Sequence, residues 1–455
     1  MKLRSLFFLG ITVMSAPAQD QNPAPADPFL PANVMVQIDW IQMPHLTANQ
    51  LIRQHLKHTR ESDALYNAAK ELVAQKKAAR LDFTSFVVRA GQRSKTESIL
   101  EKPWPTEFTA PGEAQKKAAD GKAVAEREVP ALPASFDTRN LGRSAEVEVT
   151  VGEDQRTIDL NLWTEWVDHI ADISWGTGLN EVKQPVFGAG KFTAQLLEDS
   201  GSWQLAALLT PPHGAAEGKP LGRELPAERV LVFVRATVAG KKPPGPAPAT
   251  QVHQVLVLAE WIETGADVAA ELMAKFPASA DSPELREAFE PMLTDGRAAL
   301  LESSAIQVRG GQRSRVESIT EYPVPLKFAP GIPQTFGGQG PLLPPNSAAP
   351  GLIDQFTLQN LGATVEAEVT VSESGRAIDM NIAPELGFNA GTDSYGQGIS
   401  EVKRQRFQIL RISSQVLLPV GVPSMIGSFD APLLEGKALP AVRARKVLLF
   451  VRGIL

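Results

Sequence analysis

The chain has 455 residues and carries 45 Lys and Arg against 51 Asp and Glu, a net charge of −6. That balance argues against a nucleic-acid coat, which needs a basic face, and the absence of cysteine excludes disulfides, thiolate metal sites, cysteine nucleophiles and a lipidated N-terminal cysteine. Hydrophobic residues at 43% and charged residues at 21% are ordinary globular values, and the length accommodates two or three domains of about 100–200 residues each.

The opening MKLRSLFFLGITVMSAPAQD has the layout of a secretory signal. Lys2 and Arg4 form its charged end, an apolar run over 6–14 is too short to cross a bilayer as a helix, and Ala16-Pro17-Ala18 offers a small-residue cleavage site. Residues 1–18 are therefore expected to be a signal peptide, and the mature chain to lie outside the cytoplasmic membrane. No other run approaches the ~20 apolar residues of a membrane helix, so membrane contact would have to come through β-structure or partners.

Val34, Val36, Ile38 and Trp40 alternate with Met35, Gln37 and Asp39, the pattern of a strand. A helical stretch is expected over 48–80, with Leu51, Ile52, His55 and Leu56 on one stripe, continued by Leu65, Ala68, Ala69 and Leu72. VRAGQRSKTESILEKPWPTEF, residues 88–108, reads as two strands about a turn at Gly91-Gln92, followed by a loop rich in Pro, Gly and Ala over 110–134. AEVEVTVGEDQRTIDLNL then predicts a β-hairpin. Ala145, Val147, Val149 and Val151 make its dry face, and Glu146, Glu148 and Thr150 its wet face. The continuous apolar run VLVFV near residue 232 predicts a strand buried on both faces.

The same phrases return later. VRGGQRSRVESITEYPVPLKF, residues 308–328, lies 220 positions after its counterpart. NLGATVEAEVTV answers NLGRSAEVEVTV, RAIDMNI answers RTIDLNL, and YGQGISEVK answers WGTGLNEVK, all at the same offset. LVLAEWIE pairs with MVQIDWIQ, and KVLLFVR with RVLVFVR. The second set predicts helices near 266–275 and 283–301. A period this long exceeds the roughly 20–50 residues of a solenoid unit and has the size of a domain. The expected organisation is two tandem repeats, 32–238 and 251–455, joined by a proline-stiffened linker over 239–250.

VMVQIDWIQM, RAGQRSKTESILEKPWPTEF, RNLGRSAEVEVTVGEDQRTIDLNLWTEW and RVLVFVRATV, with their second-repeat counterparts, resemble in order the C-terminal domain of the secretins of type II and type III secretion. The resemblance spans most of both repeats. It implies a protein of the bacterial periplasm or outer membrane whose partners are other protein subunits, either its own copies or envelope proteins, and an export-channel or assembly role without enzymatic activity. The chain departs from the secretin pattern by having two such domains. It also lacks the paired glycines before the last strand, which leaves open a soluble periplasmic binding or scaffold protein that keeps the fold without forming a pore.

Catalytic patterns are missing: there is no G-x-S-x-G, P-loop or G-x-G-x-x-G, and no cofactor or metal is expected. His55 and His58 stand three apart on the first helical stretch without a carboxylate at metalloprotease spacing, and are read as an ordinary helix pair. The best chemical candidate is the acidic hairpin face, Glu146, Glu148 and Asp159, repeated as Glu366, Glu368 and Asp379. A turn centred near 153–154 would set Glu148 against Asp159 and Glu368 against Asp379. Like charges across a strand pair need an offset, and Arg143, Arg156 and Arg376 lie near in sequence. A solvated or arginine-paired face is favoured over a cation site or a catalytic carboxylate pair. Trp163, Trp166, Trp175 and, in the second repeat, Tyr395 form a candidate aromatic contact loop, with core packing preferred to a ligand platform. The fold expected is α+β: two homologous tandem domains, each a mainly antiparallel twisted sheet with one or two helices near its N-terminal end.

Overall fold

The computed structural model describes residues 32–56, 59, 62–109, 112–114, 127–129, 131–176, 180–211, 227–239, 253–276, 283–329, 352–396, 401–431 and 444–455. The expected signal peptide, His58 and all but the first residue of the expected linker lie outside them. Among the described residues the protein is mainly antiparallel β-structure, organised in one sheet of eight strands and another of nine, with five helices.

The eight-stranded sheet is built from β1 (Asn33–Pro44), β2 (Ala79–Arg89), β9 (Gln204–Leu209) and β10 (Glu228–Val238) of the first half, and from β11 (Gln254–Gly265), β12 (Ala299–Arg309), β18 (Ser424–Asp430) and β19 (Arg445–Ile454) of the second. Its order is β18-β19-β11-β12-β9-β10-β1-β2, so each half contributes the same block of four. Even the irregularities recur. The register slips between Trp40 and Ile41 where β1 meets β2, and between Trp261 and Ile262 where β11 meets β12.

The nine-stranded sheet takes β3 (Arg93–Thr109), β6 (Leu132–Val151), β7 (Thr157–Trp175) and β8 (Val182–Asp199), then β13 (Arg313–Ala329), β14 (Leu352–Val371), β15 (Ala377–Tyr395), β16 (Val402–Arg411) and β17 (Ser414–Pro419). Both sheets thus draw strands from both halves. Pairing runs β3-β6-β7-β8 in the first half and β13-β14-β15 in the second, with β16 and β17 sharing the outer edge of β15. The turns at Gly91 and Gly311 (φ 79° and 73°) carry the chain from one sheet to the other. The strands flanking each turn therefore belong to different sheets instead of pairing with each other. Short strands β4 (Gly112–Ala114) and β5 (Arg127–Val129) form a ladder of their own.

Between the two sheets lies the main core. Val34, Val36, Ile38, Val232, Val257 and Leu449 on one sheet meet Val147, Val149, Leu160, Val365, Val369 and Met380 on the other. On its other face the eight-stranded sheet is covered by helices. α1 (His45–His55) and α2 (Ser62–Ala74) bury Leu51, Ile52, Leu65 and Ala69 against Ile41, Leu231 and Phe233. α3 (Ala266–Lys275), α4 (Pro283–Glu287) and α5 (Phe289–Asp295) bury Leu272, Leu285 and Phe289 against Ile262, Leu448 and Phe450. β10 and β19 are thus buried on both faces, which is why VLVFV and VLLFV carry no polar alternation.

The helical stretch expected over 48–80 is two helices, and its last residues belong to β2, because LDFTSFVV carries β-branched and aromatic side chains suited to a strand. In the second half β12 likewise begins at Ala299, and the helical part is broken at Ala288 between α4 and α5.

Beneath each helical layer a carboxylate of the sheet is buried and paired. Asp39 accepts from Tyr66 Oη (2.9 Å) and from Arg80 Nε and Nη2 (2.9 and 2.8 Å). At the corresponding place Glu260 accepts from Arg286 Nε and Nη2, both at 2.8 Å. Such groups are tolerated in a core only when paired and hydrogen-bonded.

Within the nine-stranded sheet, β6 parts from β7 and β14 parts from β15 at two glycines. Pairing of β6 with β7 ends at Gly142, and pairing of β14 with β15 ends at Gly362. Their φ values are 118° and 110°, and a Cβ would collide with the carbonyl oxygen of Ser98 or of Ser318. Beyond these points β14 touches β3 through Gln355 and Glu107, closing the pairings into the cycle β3-β6-β7-β8-β13-β14. Trp104, Phe108, Trp175, Phe187, Tyr322 and Phe356 fill the space between the hairpin ends.

Candidate interaction interface

The acidic hairpin faces are arginine-clamped. Val151 pairs with Ile158, which places Glu148 opposite Asn161, Thr150 opposite Asp159 and Glu146 opposite Trp163. The second hairpin sets Glu368 opposite Asn381 and Thr370 opposite Asp379. The expected facing of Glu148 with Asp159, and of Glu368 with Asp379, is therefore corrected by two residues of register. The cause is the turn. Gly152 N donates to Thr157 O (2.8 Å), and Gln155 takes φ 54°. Asp154 accepts from Thr157 Oγ1 (2.6 Å) and from the backbone N of Thr157 and Arg156 (both 2.9 Å), bonds that hold its carboxyl below the usual range.

On the neighbouring strand, Arg93 reaches Glu146 (3.1 Å) and Glu148 (3.3 Å), and Arg313 reaches Glu366 (3.2 Å) and Glu368 (3.3 Å). Both arginines come from the GQRS phrase and are not among the neutralising residues that sequence proximity suggests. Arg156 turns instead to Asp199 (3.3 Å). Asp159 is ion-paired with Arg309, and Asp379 accepts from Gln415 Nε2 (3.1 Å).

The four aromatic candidates are not gathered into one loop. Trp166 is buried in the inter-sheet core, edge-on to Trp40 at 6.0 Å, with Arg143 stacked 4.3 Å from its ring. Trp175 is buried among the hairpin ends, 5.9 Å from Phe356. Trp163 is half-buried, and Tyr395 is exposed in the other half. His55 is half-buried on α1.

The most elaborate polar arrangement is the joint between the halves, which runs through both sheets. In one sheet β12 meets β9, Ala305 opposite Leu208 and Ile306 opposite Ala207. In the other β13 meets β8 over seven pairs, from Arg315 with Thr193 to Glu321 with Phe187. Thr210, just past β9, enters between the sheets: its N donates to Ser318 Oγ (2.9 Å) and its Oγ1 to Glu302 (2.6 Å). Arg229 lies 3.8 Å from Glu302 and donates to Ser303 Oγ at 2.9 Å. Arg139 donates to Glu321 (2.7 and 2.8 Å) and to Glu165 (2.8 Å), and Lys191 sits 3.3 Å from both acids. The joint tolerates these charges because each is matched: burial acts to lower the Arg139 pKa, and its two carboxylates more than offset that and raise it.

The joint uses the late strands of the first half and the early strands of the second. Among the described residues two flanks stay open: β2 with the part of β3 before its contact with β14 at Glu107, and β16 to β18. Between β2 and β3 the sheets gape into a cavity of about 350 Å³ lined by Trp40, Asp82, Phe83, Ser98, Arg143 and Thr164, among others. There Arg143 is ion-paired with Asp168 (3.6 Å) and Asp82 (4.0 Å), and its buried Nε makes no hydrogen bond. No described helix is long and apolar enough to cross a membrane. The chain matches no family model, no curated protein and no solved structure.

Proposed function

We propose that the chain is a non-enzymatic, secretin-like envelope protein of two tandem repeats, 32–238 and 251–455, which acts by joining other protein subunits in an export channel or its assembly. The observation that carries this reading is the head-to-tail joint. The two halves present the same strand order in the eight-stranded sheet, and they meet through unlike edges instead of like ones. A contact between unlike edges is the kind that supports continued addition of subunits. The arginine clamps on the hairpin carboxylates support a structural role for that face.

A second reading is favoured by the joint's completeness. One flank of each half is already satisfied internally, and the hairpin ends converge through Gln355 and Glu107. A soluble periplasmic scaffold that keeps the fold and lacks a pore would use the same features. Cell fractionation, followed by light scattering of the protein with and without detergent, separates them. Envelope-bound, detergent-stable assemblies are expected for the channel component, and a detergent-independent periplasmic species for the scaffold. Recovery from the cytoplasm alone would overturn both.

A further inference from the structure

We propose that the two open flanks are complementary parts of one interface, so that β2 and β3 of one molecule pair with β16 to β18 of a second copy of the same chain. The pairing would follow the register by which β12 and β13 meet β8 and β9 inside the molecule. This rests on reading the halves as copies of one unit, and it names the partner and the contacts.

Topology supplies the first reason. The internal joint consumes the last strands of the first half and the first strands of the second. What remains is the first strands of the first half and the last strands of the second, the counterparts of the two sides already joined. Unpaired strand edges are templates for further pairing. Here the edges also carry apolar side chains that a lone molecule would leave in water. Ile99 and Leu100 on β3 are 37% and 67% exposed, and Ile409 on β16 and Leu417 on β17 are 42% and 67% exposed. The counterpart of Ile99 inside the joint, Ile319, is buried.

Register gives the second reason. Shifted by the repeat offset, the internal pair Ile319–Ala189 becomes Ile99 opposite Ile409, so two exposed isoleucines cover each other. Glu317–Lys191 becomes Glu97 opposite Arg411. The contact of Lys191 with Glu321 becomes Arg411 with Glu101, and, with RVLVFVR aligned on KVLLFVR so that Arg229 matches Lys446, that of Arg229 with Glu302 becomes Lys446 with Asp82. Each of these transferred ionic contacts joins opposite charges.

The cavity supplies the third. Inside the joint the equivalent space, between Glu302 and Ser318, is occupied by Thr210. The residue corresponding to Thr210 is Asp430, at the end of β18, where it holds Lys446 at 2.7 Å. Ser318 pairs across its ladder with Ala363, whereas Ser98 pairs with Arg143. The internal joint thus combines threonine with alanine, and the open flanks combine aspartate with arginine. Docking would add the Asp430 carboxylate to an arginine that is ion-paired with Asp168 (3.6 Å) and Asp82 (4.0 Å) and whose buried Nε makes no hydrogen bond. By the same transfer the Thr210–Glu302 contact sets Asp430 beside Asp82, so the two carboxylates would share Arg143, which lies 4.0 Å from Asp82, and Lys446, which lies 2.7 Å from Asp430.

The test uses the cysteine-free chain. Ile99→Cys and Ile409→Cys are made in separate full-length chains, which are then mixed and oxidised. A covalent dimer is expected in the mixture and not in either variant alone, and the double variant should give a ladder. Arg143→Glu or Asp430→Arg should each weaken association by at least about tenfold, and combining them in one chain should restore it. Wild-type protein that stays monomeric by light scattering across a wide dilution range overturns the interface, whatever the variants do. Association without the mixed cross-link, or cross-linking within a single variant, also overturns it. The cross-linking results leave the envelope reading standing; a strict monomer also removes its channel form and leaves the periplasmic scaffold, and recovery from the cytoplasm alone removes both.

Discussion

Glu198 offers a direct reading of how much one misplaced charge costs this fold. It lies on β8, 1% exposed, with Ala236 N donating to Oε2 at 3.0 Å and Oε1 without a hydrogen-bond partner. Burial, with a smaller contribution from nearby Asp63, pushes its carboxyl up to about 8. The unfolded chain titrates near the ordinary 4.5, so between about 4.5 and 8 the unfolded state releases a proton that the folded state keeps. Stability from this group is therefore full below 4.5 and declines as pH rises toward 8. At pH 7 the loss is roughly 3 kcal/mol, from about 1.4 kcal/mol per pH unit over the interval. Glu198→Gln keeps an acceptor for Ala236 N and cannot ionise. Urea unfolding followed by circular dichroism should show the variant roughly 2–3 kcal/mol more stable than wild type at pH 7, and within about 1 kcal/mol of it at pH 5. A stability difference that is the same at both pH values would refute the assignment of a buried, neutral carboxyl.

Other substitutions probe other parts of the structure. Arg286→Met removes both hydrogen bonds to the buried Glu260 carboxylate and should cost about 3–5 kcal/mol in chemical denaturation, with Glu260→Leu recovering much of the loss in the double variant. Gly142→Ala and Gly362→Ala force a Cβ onto a carbonyl oxygen at positive φ, and each should lower stability by about 2 kcal/mol or more in the same assay. Trp166→Ala opens the inter-sheet core beneath Arg143 and should cost about 3–5 kcal/mol, read from the denaturation midpoint.

Much of the architecture is readable from side-chain alternation. Val147 and Val149 against Glu146 and Glu148 announce a half-buried strand, and VLVFV announces one covered on both sides. Alternation reports which face is dry, and it does not report which strand lies alongside. For that reason the sharing of both sheets by the two halves, and the crossing between sheets at Gly91, are invisible to it. Hairpin register fails for a local reason: the turn depends on the Asp154 bonds and the left-handed Gln155, and a shorter turn moves every facing pair. The clamp on the acidic face comes from Arg93 and Arg313, distant in sequence from the glutamates they hold. Asp430 is as easily overlooked. Its signal is present in the repeat itself, where Thr210 is replaced by aspartate while Ala363 corresponds to Arg143. Glu198 gives no warning, since its counterpart Leu418 reveals an apolar site only once the repeats are aligned there.

Electron microscopy of the purified full-length chain tests the central claim most directly. Particles built by successive head-to-tail contacts, seen as closed rings or curved filaments with one polarity, are the expected result. Single copies only, or pairs related by a two-fold axis through like edges, would contradict it.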